Sequence, residues 1–176
     1  MIKKILLVLA AIVALVLALA AFQPAEFRVT RSATIAAPAS TAFAAINDFH
    51  RWQEWSPWEK LDPNLKRTFE GSASGVGSIY SWEGNSQVGS GRMTIAASHP
   101  AERIRIQLDF LKPWESHCVT DFTFAPEGNG TVVTWTMSGP NNFFSKLMNV
   151  FTSMDKMIGG DFEKGLANLK STLETK

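Results

Sequence analysis

The 176-residue chain has a single cysteine, Cys118, so it can form neither an internal disulfide nor a cysteine-ligated metal cluster. It also has only three histidines, and none of them shows the spacing of metal ligands. The net charge is also small, because 17 basic residues nearly balance 16 acidic ones. We therefore expect no metal, no cofactor and no nucleic-acid partner. The hydrophobic content of 45% excludes a disordered chain.

The first 24 residues contain no charge after Lys3 and Lys4, and the uncharged run from Ile5 to Phe22 covers 18 residues. As a helix this run would be about 27 Å long, enough to cross a bilayer core. Two interpretations stay open. A retained anchor with its lysines in the cytoplasm is favoured by length. A cleaved signal peptide is favoured by the small residues 18–20, Ala-Leu-Ala. We predict a membrane segment over 1–24 and an extracytoplasmic domain over 25–176, or its release into the periplasm after cleavage.

The rest of the chain has the pattern of one α+β domain. Residues 27–35 alternate like a strand, and Phe43, Ile46 and Phe49 recur at helical spacing. Turn signals then divide the region from about Lys66 to Gly139 into some six further strands. Short turns between successive strands predict an antiparallel meander.

The C-terminal part changes to helical periodicity. Apolar residues from Phe144 to Leu173 step by three or four, which predicts one long amphipathic helix, flexed at Gly159-Gly160. The expected fold is a curved antiparallel sheet of six or seven strands wrapped around this helix. We predict that five residues are buried between the two layers: Ile104, Leu108, Phe122, Phe162 and Leu166.

The inner face of this sheet combines apolar side chains with several Trp, Tyr and Thr groups. A solid core avoids so many N–H and O–H donors, whereas ligand pockets are lined in this mixed way. Simple core packing under the helix is the alternative for each residue taken alone. The candidate ligand-binding residues are Trp55, Trp58, Tyr80, Trp82, Leu108, Phe110, Cys118, Thr120, Trp135, Met137, Met154 and Ile158.

The segment WQEWSPWEK, residues 52–60, holds three of the six tryptophans. Residues three apart share one side of a helical turn, and Pro57 ends the first turn. We interpret the segment as an aromatic flap in which Trp52 anchors to the core while Trp55 and Trp58 close a cavity mouth. The alternatives are that all three tryptophans are core residues, or that they form an interfacial belt beside a bilayer.

Several stretches resemble the SRPBCC superfamily of START and Bet v 1-like proteins, in particular its bacterial polyketide cyclase/dehydrase branch. They are RSATIAAPASTAFAAINDFHRWQEWSPWEKLDP, GVGSIYSWEGN, VGSGRMTI and DFEKGLANLK. The resemblance implies a helix-grip fold with a deep cavity for an apolar small molecule or lipid. It carries no catalytic motif that can be assigned residue by residue.

Two classes of function remain. The first is a membrane-tethered carrier or sensor that binds an apolar small molecule or lipid. The second is an enzyme of the polyketide cyclase/dehydrase type acting on an aromatic or polyketide-like substrate, which needs an inward-facing ionisable pair. The sequence predicts almost no inward carboxylate or histidine, so it favours binding, and the catalytic residues stay unknown. A filled cavity would instead indicate a purely structural domain.

Overall fold

The computed structural model describes residues 1–175, in which a seven-stranded antiparallel sheet forms one layer. Its strand order is β1-β7-β6-β5-β4-β3-β2, so the chain's first two strands lie at opposite edges. The predicted antiparallel meander of six or seven strands is therefore confirmed. The strands are β1 (Glu26–Ile35), β2 (Lys66–Gly71), β3 (Ser78–Glu83), β4 (Ser90–His99), β5 (Arg103–Lys112), β6 (Ser116–Glu127) and β7 (Gly130–Pro140).

Helices form the second layer and the segment that precedes the sheet. The α-helices are α1 (Ile2–Ala21), α2 (Ala39–Ile46), α3 (Trp52–Trp55), α4 (Phe143–Asn149) and α5 (Met154–Glu174). Two 3₁₀ turns, Phe49–Arg51 and Pro57–Lys60, flank α3. Helix α5 packs mainly on β1 and also contacts α3.

The sheet is curved, and its inner face is the apolar one. Register shifts at Ser90/Gly91 and Ile95/Ala97 mark bulges in β4, and such bulges bend a strand. Alternate residues along each strand then point to the concave side, where α5 lies. The five residues predicted to be buried there are buried: Ile104, Leu108, Phe122, Phe162 and Leu166.

The outer face carries the charges. Asp121 lies between Arg103 and Arg105 of the neighbouring strand, with N–O distances of 2.7 and 3.1 Å. Partial burial acts to raise the pKa of Asp121, but hydrogen bonds from Arg105 and Arg103 outweigh it and hold that pKa below its ordinary value. Polar residues on this face therefore stabilise neighbouring strands without entering the core.

The single C-terminal helix predicted from Phe144 to Leu173 is wrong, because the structure has two helices separated by residues 150–153. Each begins at a side-chain cap: Asn142 accepts a hydrogen bond from the Ser145 N–H, and Ser153 accepts one from the Lys156 N–H. The apolar spacing continues across the break, so periodicity alone does not reveal it.

Gly159 and Gly160, where the sequence predicts a flexure, both lie inside α5, and the flexure itself stays a prediction. A Cβ on Gly159 would overlap the guanidinium of Arg31, which crosses the helix there. Arg31 donates hydrogen bonds to Asp155 at 2.7 Å and to Glu163 at 2.6 Å. This glycine therefore lets β1 hold the first turns of α5 through one arginine.

Candidate functional site

A cavity of about 200 Å³ lies between the inner face of the sheet and α5. The segment after α3 and the β3–β4 loop form its remaining walls. Its lining is largely apolar and aromatic. The lining residues are Trp52, Ser56, Trp58, Glu59, Leu65, Tyr80, Trp82, Gln87, Val88, Met93, Leu108, Phe110, Thr120, Trp135, Met137, Ile158 and Phe162.

The strand register builds the floor of the cavity. Tyr80, Met93 and Leu108 lie opposite one another on β3, β4 and β5. In the next row Gly91 stands between Trp82 and Phe110. A Cβ on Gly91 would overlap the Trp82 ring, so the missing side chain lets the indole lie across β4.

Trp82 is fixed from two sides. Its Nε1–H donates a hydrogen bond to the Val88 carbonyl at 3.1 Å, which ties the ring to the β3–β4 loop. Its ring meets Phe110 edge to face, with centroids 5.9 Å apart. Because the indole N–H is already satisfied, Trp82 presents an apolar surface to the cavity.

The tryptophan segment forms a wall in which each ring has a different position. Trp52 and Trp55 donate their Nε1–H groups to the Ile46 and Ala45 carbonyls at the end of α2, at 2.9 and 3.3 Å. Trp55 is 1% exposed and does not line the cavity, so its predicted place at the mouth is wrong. Trp52, predicted as a core anchor only, also reaches the cavity. Ser56 turns the chain, and Trp58 beyond it is half-buried in the cavity wall.

Trp135 is the centre of an aromatic cluster. Its ring stacks on Phe162 with centroids 4.1 Å apart and meets the rings of Trp55 and Trp58 edge to face. Its Nε1–H is buried and has no hydrogen-bond partner among residues 1–175. Since that N–H is also shielded from the cavity, Trp135 is part of the apolar wall rather than a polar anchor.

One ionisable cluster reaches the cavity, and the sequence prediction had missed it. Glu59 is 8% exposed and lines the wall in the 3₁₀ turn after Trp58. The Tyr80 hydroxyl donates a hydrogen bond to Glu59 Oε1 at 2.6 Å, and Arg67 Nε donates to Oε2 at 2.6 Å. Arg67 also donates to the Glu59 carbonyl at 3.0 Å, which fixes the turn itself.

The electrostatics of this cluster keep Tyr80 neutral. Burial, and next the hydrogen bond to the Glu59 carboxylate, raises the pKa of Tyr80 far above its ordinary value. The hydrogen bond to Glu59 likewise raises the pKa of Arg67. The cluster is therefore an ion pair with a protonated phenol against it. Because Tyr80 uses its proton toward Glu59, its oxygen can still accept a hydrogen bond from another molecule.

The cavity brings together nine of the twelve residues proposed from sequence: Trp58, Tyr80, Trp82, Leu108, Phe110, Thr120, Trp135, Met137 and Ile158. Trp55, Cys118 and Met154 lie outside its lining. Cys118 is buried beneath Gly139, where a Cβ on the glycine would be 3.0 Å from the sulfur, and burial raises the pKa of its thiol. Met154 packs partly buried against the core at the start of α5.

Glu59 was missed because a charged residue in a short loop normally faces solvent. The prediction of almost no inward carboxylate is therefore wrong. A weak signal exists, since Arg67 follows eight residues later on β2 and Tyr80 is the chain's only tyrosine. No periodic pattern joins three residues from a turn and two strands.

Comparison with protein families gives one extended match. The family model described as "Polyketide cyclase / dehydrase and lipid transport" matches residues 26–174, which covers the sheet, the cavity and α5. No curated protein sequence matches the chain.

Solved structures share the fold at low sequence identity. Protein CV1439 from Chromobacterium violaceum has a TM-score of 0.59 and 16% identity over 86% of this chain and 99% of its own. The Aha1 dimer from Colwellia psychrerythraea has a TM-score of 0.61 and 17% identity over 84% of this chain and 96% of its own. The di-domain ARO/CYC BexL from the BE-7585A biosynthetic pathway has a TM-score of 0.63 and 16% identity over 90% of this chain and 53% of BexL. This chain thus spans about half of BexL. At these identities the likeness establishes the helix-grip fold alone.

Proposed function

The chain belongs to the polyketide cyclase/dehydrase and lipid transport family, and on that premise we propose that its cavity binds an apolar small molecule or lipid. The protein then acts as a carrier or sensor, tethered to a membrane by residues 5–22. The observation that carries the proposal is an apolar cavity kept open inside an otherwise closely packed domain.

Keeping that cavity open costs packing, because side chains that line unfilled space lack van der Waals contacts on one side. A larger side chain at Thr120 or Leu108 would remove the cost. A cavity that binds a ligand is the functional reason to keep it open.

The Glu59–Tyr80 contact defines the polar end of the ligand. Arg67 balances the charge of the Glu59 carboxylate, so the cavity has no unbalanced charge that would attract a charged ligand. The Tyr80 oxygen is available as an acceptor, which suits a ligand with one hydroxyl on an apolar body. An apolar molecule with a single hydroxyl group is therefore the ligand class that we propose.

Helix α1 supports the membrane tether. It is 20 residues long with a mean hydropathy of 2.8, and 6% of its apolar window is buried against the rest of the protein. At about 1.5 Å per residue it is about 30 Å long, the thickness of a bilayer core. A cleaved signal sequence would have the same composition. We expect the full chain to stay with the membrane fraction through a carbonate wash, and a soluble protein whose N-terminus lies near Ala21 would refute the tether.

The same cluster favours a second candidate, an enzyme of the cyclase/dehydrase type. A carboxylate hydrogen-bonded to a phenol is an acid–base pair, and both groups reach the cavity. Tyr80→Phe separates the two functions. An enzyme loses turnover of a polyketide-like substrate while it still binds the substrate, whereas a carrier shows no turnover before or after the change.

The binding proposal is tested by photolabelling. The full chain in lipid nanodiscs is irradiated with an alkylphenol that carries a diazirine, and the adducts are mapped to peptides. Mapping separates a molecule in the cavity from one dissolved in lipid. We expect saturable adducts on cavity residues and none on the outer face of the sheet.

Two neighbouring residues of β6 provide the matched variants. Thr120→Phe places a ring into the cavity, while Val119→Phe places the same ring on the outer face. We expect Thr120→Phe to abolish the cavity adducts and Val119→Phe to leave them unchanged. Wild-type protein that gives no saturable adduct, or Thr120→Phe protein that gives a normal one, would refute the cavity as a binding site.

A further inference from the structure

Large apolar side chains lie exposed at one end of the domain. Helix α4 has no buried residue, although most of its residues are apolar. Across from it, Trp114 in the β5–β6 turn is 73% exposed, and its ring lies 6.2 Å from that of Phe144. We call this surface the apolar patch, and it consists of Leu111, Trp114, Phe143, Phe144, Met148 and Phe151. Proteins in water rarely leave so many large apolar groups together uncovered.

The patch is continuous with the helix that is long enough to cross a bilayer. Helix α1 packs against α4, and Ala20 in its last turn is fully buried. Phe22, the first residue after α1, is 89% exposed. The apolar surface of α1 therefore extends directly onto the domain at α4.

The connection from α1 to the sheet is held to the domain by Asn141, the residue before the cap of α4. Asn141 is buried and donates its backbone N–H to the Ala25 carbonyl at 2.7 Å. Its side-chain amide donates to the Pro24 carbonyl at 3.1 Å and accepts from Asn149 of α4 at 3.3 Å. Asn141 thus ties residues 24–25, which follow α1, to the start of α4 and to Asn149 within it.

We propose that the apolar patch is seated in the interfacial layer of the bilayer that α1 crosses. With α1 spanning the hydrocarbon, its last turn reaches the bilayer surface, and Asn141 holds α4 at that level. Tryptophan and phenylalanine are favoured at this depth, as in other interfacial helices. Lys112 at the end of β5 and Lys146 on α4 add cations that suit phosphate headgroups, while Glu115 in the β5–β6 turn adds a carboxylate.

Seating the patch fixes the orientation of the domain and connects the bilayer to the cavity. Val88 of the β3–β4 loop lines the cavity, and this loop lies at the same end of the sheet as the patch, because Ser90 after the loop pairs with Lys112 next to Leu111. At the start of α5, Ile158 lines the cavity four residues after Met154. A ligand dissolved in the bilayer would then enter from the lipid side. The docking rests on the membrane tether of the proposed function, and this entry route rests on its ligand as well.

The docking is tested with a fluorescent label on single cysteines in a Cys118→Ala background, using the full chain in vesicles of neutral and anionic phospholipid. Labels are placed at Phe144→Cys and, independently, at Trp114→Cys. Ser171→Cys is the control, exposed at the far end of α5, about 25 Å along the helix from Met154. We expect lipids with a quencher on the acyl chain to quench the two patch labels about threefold more strongly than the control.

A second variant separates docking from anchoring. Phe143→Asp with Phe151→Asp should abolish the extra quenching at position 114, while the protein stays with the membrane through a carbonate wash because α1 is intact. Equal quenching at positions 144 and 171 overturns the proposal. Protection of position 144 from aqueous iodide without lipid quenching also overturns it, because a protein partner then covers the patch.

Photolabelling keeps this result distinct from the cavity proposal. Saturable cavity adducts without lipid quenching at positions 114 and 144 refute the docking and leave ligand binding intact. Lipid quenching without any cavity adduct supports the docking and refutes the ligand.

Discussion

Truncation of two tryptophans three residues apart separates a cavity wall from a core. Trp55 is 1% exposed, donates its N–H to the Ala45 carbonyl and meets the rings of Phe122 and Trp135. Trp58 is half-buried, lines the cavity and meets Trp135 edge to face at 5.7 Å. We expect Trp55→Ala to lower stability and Trp58→Ala to lower ligand affinity.

The magnitudes follow from burial. Truncation of a buried tryptophan costs about 3–5 kcal/mol, and the Ala45 carbonyl loses its partner as well. At about 2–4 °C per kcal/mol for a domain of this size, Trp55→Ala should lower the Tm by about 6–20 °C. Trp58 already faces a void, so less packing is lost and its Tm should fall by less than half as much. Loss of an aromatic anchor costs about 2 kcal/mol of binding, or about thirtyfold in affinity.

The assay pairs thermal unfolding without ligand against the concentration dependence of cavity photolabelling, for wild type and both variants. We expect Trp55→Ala to show the larger fall in Tm and Trp58→Ala to show the larger loss of affinity in photolabelling. If Trp58→Ala and Trp55→Ala lose equal stability and photolabelling is unchanged in both, Trp58 is a core residue and the cavity wall has been misassigned.

Three further predictions concern Tyr80, two glycines of α5 and the cap of that helix. Because the pKa of Tyr80 is raised in the folded protein, its neutral form stabilises the fold below pH 10, and this stability is lost above pH 10 as the phenol of the unfolded chain ionises. The absorbance of Tyr80, the chain's only tyrosine, should therefore show no ionisation before the native protein unfolds, whereas Glu59→Gln should move its ionisation to lower pH. Ionisation of Tyr80 near pH 10 in the folded wild-type protein would contradict its burial. Gly165→Ala places a Cβ 2.8 Å from the Trp135 ring and should lower the free energy of unfolding by about 1–3 kcal/mol, whereas Gly160→Ala has open space around it and should raise that free energy by about 0.5–1 kcal/mol. Denaturant titrations measure both changes, and equal changes in the two variants would mean that the Trp135 ring does not lie against Gly165. Ser153→Ala should cost about 1 kcal/mol by removing the cap of α5, and no loss relative to Ser171→Ala would argue for one continuous helix.

Local patterns in the sequence were sufficient for the sheet. Alternation in residues such as Arg103–Phe110 places charged and apolar side chains on opposite faces, because successive strand residues point to opposite sides. Turn residues between the strands then leave an antiparallel order as the simplest connection. Both features depend on neighbours within about ten residues, so the chain order alone carries them.

The helical tail was predicted less well, for a reason that is also local. Apolar spacing from Phe144 to Leu173 records which face is apolar, and it continues unbroken across residues 150–153. The break depends on the Ser153 cap, a single hydrogen bond that a hydrophobic pattern does not register. Gly159 provides space inside α5, because Arg31 from β1 passes over it, and an apolar pattern does not show that contact either.

The candidate site shows the same division. The sequence determined which strand residues face inward, and thereby most of the cavity wall, the apolar α1 and the helix-grip architecture. Only the tertiary structure decided that Trp55 fills the core while Trp58 borders the cavity, because the two are the same residue type at the same three-residue spacing in the sequence. It alone placed Glu59 between Tyr80 and Arg67, since a buried carboxylate becomes affordable only when two distant strands supply its partners. It likewise placed α4 beside α1, about 120 residues away in the chain, because such contacts follow from packing in space and leave no periodicity in the sequence.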